Sequence, residues 1–164
     1  MEAAEVESVP AGGRHTFGLT DLKLSELVLP ELFDLAVHHQ DLTKLDACFC
    51  CLGVSATGMS GPEYHRVTYH LTFAALDVLF ADNPRMAISF VFGQGADSTG
   101  GGRIMWARVK GQTENELLSR FLPSYIFRPG VIQPLRGVRS KTMCYQAVYF
   151  LLYTKSNRLF RHRG

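Results

Sequence analysis

Long apolar runs are missing from this sequence. The greasiest stretch, residues 143–153, falls well short of the roughly 20 residues that a membrane-spanning helix needs. The opening residues carry Glu2, Glu5 and Glu7 with no basic start and no apolar stretch, so they read as neither a secretory nor a transit signal. Paired cysteines are missing too. Cys48, Cys50 and Cys51 crowd one short run and Cys144 stands apart, which matches neither a disulfide framework nor paired zinc-ligand spacing. Charge of one sign is scarce: 17 Lys and Arg against 15 Asp and Glu leave a net +2. That balance argues against nucleic acid or an anionic membrane as partner. The expectation is a reduced, cytoplasmic chain.

What is present is a globular composition, 46% hydrophobic and 20% charged over 164 residues, enough for one domain with its own core. The stretch 1–20, rich in Ala, Glu and Gly, reads as a flexible leader, 21–154 as an α/β domain, and 155–164 as a basic tail. Residues 24–29 alternate apolar and polar before Pro30, which suits a short strand. Residues 30–35 suggest a turn or short helical piece, and 41–45 a single helical turn. Residues 46–52 and 86–92 are continuous apolar runs, and such runs suggest strands covered on both faces. Between them, Ser60-Gly61-Pro62-Glu63 is a capping-box pattern with proline in the first helical turn. The helix behind it carries Tyr64, Val67, Leu71, Ala75 and Val78 on one stripe and Tyr69, Phe73, Leu76 and Phe80 on another, until Asp82-Asn83-Pro84 stops it. A second helix is expected over about 104–120, with Trp106, Val109, Thr113 and Leu117 on one face. A short strand over 125–127 and a last helix over 141–153 follow. Strands alternating with helices predict a parallel sheet with right-handed crossovers.

In such a sheet ligands bind beyond the carboxyl ends of the strands. Three loops rich in small residues, 53–59, 93–103 and 128–134, leave those ends. Their glycines serve either tight turns or a phosphate cradle. A dinucleotide fingerprint is absent: Gly93-Gln94-Gly95 has no third glycine at the right offset and no helix opening directly behind it.

Four stretches fall in order with these elements: Cys51-Leu52-Gly53; Gly95-Ala96-Asp97-Ser98; Trp106-Ala107-Arg108-Val109-Lys110-Gly111 with Glu114; and Phe127-Arg128-Pro129-Gly130. Together they resemble the short-chain dehydrogenase/reductase superfamily, in its atypical NAD(P)-binding, epimerase/dehydratase-like branch, over about residues 23–152. The resemblance implies a partial Rossmann-type sheet of strand order 3-2-1-4-5-6. In it residues 24–29 supply the third strand, 46–52 the fourth and 86–92 the fifth, and the first two strands are missing. It implies NAD or NADP as cofactor, with Leu52, Gly53, Lys110, Pro129 and Gly130 at its site and Lys110 as the retained catalytic position. Without the glycine-rich loop, binding is expected to be impaired.

The family pairs Tyr-x-x-x-Lys with a serine, so that a phenol acidified by the ammonium can pass a proton to a carbonyl. Here Trp106 occupies the tyrosine position and Phe92, followed by Gly93, the serine position. An indole N–H is no acid near neutral pH. Lys110 then either contacts the cofactor ribose or is a solvated lysine packed on Trp106 or paired with Glu114. Three readings stay open. The chain is an NAD(P)-binding protein of an oxidoreductase or epimerase lineage taking a small substrate, or a non-catalytic interaction module on the same scaffold, or a fragment of a longer protein. In the module reading, an unpaired strand edge invites a second copy or another partner. His38-His39, and His65 with His70, lack metal-ligand spacing. Cys48 and Cys50 read as apolar filler on one strand face, with Cys51 on the other. Asp97-Ser98-Thr99 reads as a turn bonding its own backbone.

Overall fold

The computed structural model describes residues 6–130 apart from 14, 17, 19, 20, 30 and 31. The expected helix at 141–153 and the basic tail lie outside the described residues. Two compact units divide the chain, Met1–Pro129 and Gly130–Gly164, and all that follows except Gly130 concerns the first.

The protein is a mixed α/β structure with two parallel sheets flanked by helices. Strand β1 (Val9–Gly13) lies in the stretch read from the sequence as a flexible leader. It pairs in parallel with β2 (Leu24–Val28), in register from Val9 opposite Leu24 to Gly13 opposite Val28. Amide-to-carbonyl bonds from Val9 to Lys23 (2.7 Å) and from Leu29 to Gly13 (2.8 Å) close the two ends of the pair. A single sheet holding all four strands expected from the sequence is therefore not formed, because β1 supplies the backbone partners that β2 needs.

A 3-10 helix runs over Leu32–Leu42, continuous where a turn and a separate helical turn were expected. Its Leu35 and Leu42 are buried in the main core, beside Leu29. Strand β3 (Ala47–Cys50) follows, shorter than the apolar run that predicts it. At the next helix start the Ser60 hydroxyl accepts from the Glu63 amide while the Glu63 carboxylate accepts from the Ser60 amide at 2.8 Å. That reciprocal pair opens α1 (Gly61–His65). A π-helical turn, Arg66–His70, links it to α2 (Leu71–Asp82). The stop at Asn83 has a reason beyond Pro84. Asn83 is buried, donates to the Leu42 and Leu79 carbonyls at 2.7 and 2.8 Å, and accepts from the Leu45 amide at 2.7 Å. One side chain thus caps α2 and fixes the entry to β3.

Strands β4 (Ala87–Val91) and β5 (Ser124–Phe127) flank α3 (Met105–Arg120) in sequence. The main sheet has the order β3-β4-β5, all parallel. Cys48 and Cys50 pair with Ile88 and Phe90, which pair with Ser124 and Ile126. This face is buried against Phe73, Leu76 and Leu79 of α2 and Leu117 of α3. The opposite face was expected to be covered and is not: Phe49 is 76% exposed, and Tyr125 and Phe127 are each 54% exposed. The reason is topological. Three strands laid down in sequence with crossovers of one hand put both helices on the same side.

Candidate functional site

Because β3, β4 and β5 run the same way, the segments leaving them emerge at one edge of the sheet. There, Leu52 is half-buried against the core and Gly53 is exposed, with open space where a side chain would stand. The Phe92 amide bonds the Phe127 carbonyl (2.9 Å) and the Gln94 amide bonds the Pro129 carbonyl (3.2 Å). The loops behind β4 and β5 are in this way zipped together. Pro129 is half-buried and Gly130 exposed.

Lys110 stands one helical turn behind Trp106 on α3. Its Nζ lies 5.4 Å from the centroid of the Trp106 indole and 6.0 Å from that of Phe92. A methyl placed on Gly93 would be 3.5 Å from the same nitrogen. The ammonium is therefore drawn to the carboxyl end of β4, among aromatic rings near the outer limit of cation–π attraction. Among the described residues nothing accepts a hydrogen bond from it. Burial pushes its pKa down, and the Glu114 charge only partly opposes that.

Of the two arrangements open to a solvated Lys110, packing on Trp106 is present and an ion pair with Glu114 is not. Glu114, 1% exposed, is held by Arg128, whose Nε donates to Oε1 at 2.9 Å and whose second nitrogen donates to Oε2. The same Arg128 nitrogen donates to the Ser98 hydroxyl at 2.8 Å. The two-pronged pair ties the end of β5 to α3, and the bond to Ser98 ties the loop behind β4 to both. Sequence reasoning missed this clamp, since fourteen residues separate its members and no local pattern joins them.

The loop behind β4 rests on α3 at close quarters. The Asp97 amide donates to the Ala107 carbonyl at 2.9 Å, and a Cβ on Gly111 would sit 1.8 Å from the Asp97 carbonyl oxygen. Gly111 is thus a mid-helix glycine required by backbone contact. Gly95, at φ +95°, lies under the Trp106 ring, 3.1 Å from it at the position of a Cβ. The Asp97 carboxylate accepts from the Thr99 hydroxyl (2.6 Å), the Thr99 amide (3.0 Å) and the Gly102 amide (2.7 Å). These bonds, led by the Thr99 hydroxyl, hold it below the usual carboxylate range. It is a turn-former bonding its own loop, as the sequence suggests.

Proton transfer has no phenol at the Trp106 position. Tyr69 gives its hydroxyl to Glu116, and burial, with Glu116 second, pushes it up to about 12. Burial likewise raises Tyr64. Cys48 and Cys50 are pushed up to about 11 and about 12, chiefly by burial, while Cys51 is exposed. No group of three His, Cys, Asp or Glu among the described residues is arranged to hold a metal. No helix among them is long and apolar enough to cross a membrane.

The chain matches no family model and no curated protein.

Proposed function

We propose that this protein is a cytoplasmic NAD(P)-binding Rossmann-type protein of the oxidoreductase and epimerase lineage that binds its nucleotide without turning over a carbonyl substrate. The single observation that carries this reading is the Lys110 ammonium. It stands half-buried at the carboxyl edge of a parallel sheet with no hydrogen-bond acceptor among the described residues. A ribose hydroxyl or phosphate oxygen would satisfy it. At the same edge Gly53 has open space where a side chain would stand, and the loops at Gly93 and Pro129 are joined. What supports the binding of such a cofactor is this one ammonium. The residues do not fit its redox chemistry, since Trp106 and Phe92 offer neither acid nor hydroxyl.

Trp106 is the single tryptophan and reports directly on this edge. Titration with NADPH should quench its emission through energy transfer to the reduced nicotinamide, saturating weakly, near 1 mM or about −4 kcal/mol. The 164 residues contain no G-x-G-x-x-G loop to hold the pyrophosphate. Lys110→Met should abolish the saturable part while leaving the fold intact by circular dichroism. Unchanged emission through several times that concentration, roughly 5 mM, would refute nucleotide binding.

A second reading, a non-catalytic interaction module, is favoured by the bare sheet face bearing Phe49, Tyr125 and Phe127. A uniformly monomeric protein in light scattering, together with saturable quenching, would decide against it.

A further inference from the structure

Outside the aromatic rings, the surroundings of Lys110 contain little that would hold an ammonium in place. Glu114, four residues on, already has its charge answered by two hydrogen bonds from Arg128. Phe92 and Trp106 approach at 6.0 and 5.4 Å and contribute weak attraction. Gly93 offers no side chain, and a Cβ there would lie 3.5 Å from Nζ. A half-buried lysine beside aromatic rings, with no hydrogen-bond acceptor among the described residues, is the arrangement that makes an amine a nucleophile at neutral pH.

We propose that Lys110 is a site of covalent carbonyl capture, condensing with aromatic aldehydes that stack on Trp106. The uncharged nitrogen lone pair attacks the carbonyl carbon, and the C=O π electrons move onto oxygen. A proton passes from nitrogen to that oxygen, giving the carbinolamine. Loss of the hydroxyl together with the remaining N–H proton, as water, then leaves a C=N bond to Nζ. The first proton, released when the ammonium becomes the amine, goes to solvent. No electrons are exchanged with any other group. Burial, which favours the uncharged amine, supports the same chemistry. Among the described residues Glu114 and Arg128 are the charged groups facing this region, from α3 and the end of β5, and the Glu114 charge opposes the effect of burial only in part.

The inference goes beyond nucleotide binding and does not depend on it. The full chain carries five lysines, Lys23, Lys44, Lys110, Lys141 and Lys155, so it contains its own references. Incubation with 4-pyridinecarboxaldehyde and cyanoborohydride at pH 7.5 traps each imine as a stable secondary amine, which peptide mass mapping assigns. Lys110 should be trapped at least about threefold faster than the exposed Lys44, because the free-amine fraction at neutral pH follows the acid constant. In urea the preference should vanish, and Lys110→Arg should lose that adduct alone. A Lys110 rate at or below that of Lys44, or a preference that survives unfolding, would overturn the proposal. Protection by NADPH reports separately on the nucleotide reading. Its absence would count against that reading while leaving preferential trapping at Lys110 in force.

Discussion

Gly111 is the position where one atom would do most harm. A methyl there would fall 1.8 Å from the Asp97 carbonyl oxygen and 2.7 Å from the Ser98 amide nitrogen, so helix and loop would have to part. Gly111→Ala should cost about 3 kcal/mol, even though alanine is the better helix former. Urea denaturation would show it as a lower midpoint at unchanged slope. A gain in stability would mean that the loop does not rest on α3 in solution. The glycine itself is plain in the sequence, and so is the i, i+4 spacing of Trp106 and Lys110. Which partner Glu114 takes was not legible. Spacing along one helix offered Lys110, but the sheet brings Arg128 from β5 with two donors in the geometry of a carboxylate.

Helix ends are governed by nearby residues, and they followed the sequence closely. The reciprocal Ser60–Glu63 bonds form as the four-residue pattern requires. Ser60→Ala should therefore lower stability by about 1 kcal/mol, seen as a fall in Tm, and Ser60→Asp should restore most of it. No change in Tm would mean that tertiary contacts alone hold the start of α1. The π-helical turn at Arg66–His70 was not readable. It shifts the buried face partway along the helix, so that Tyr64, Thr68 and Thr72 are buried while Val67 and Leu71 of the expected stripe are only half-buried. A fixed 3.6-residue period cannot follow such a shift. Strand β1 was missed for a related reason: Val-Pro-Ala-Gly-Gly has little intrinsic preference for a strand, and only the presence of β2 beside it makes one.

Across the main sheet, one face is a core and the other a surface. Phe90, fully buried, and Phe49, 76% exposed, sit on neighbouring strands and differ only in which way they point. Phe90→Ala should cost about 3–5 kcal/mol, whereas Phe49→Thr should change stability by less than about 0.5 kcal/mol. Equilibrium unfolding of the two variants measures the contrast, and a comparable loss at Phe49 would show that something covers that face in solution. Composition, periodicity and turn chemistry were sufficient for an α/β chain, for the positions of four strands and two helices, and for the loops at the carboxyl ends, because each depends on residues close together along the chain. The division into two sheets, the bare face and the pairing of Glu114 with Arg128 depend instead on which backbone and side-chain partners arrive from elsewhere. A hydrogen bond or a buried face is decided by competition among all the groups that can reach it, and that competition takes place only in the folded molecule.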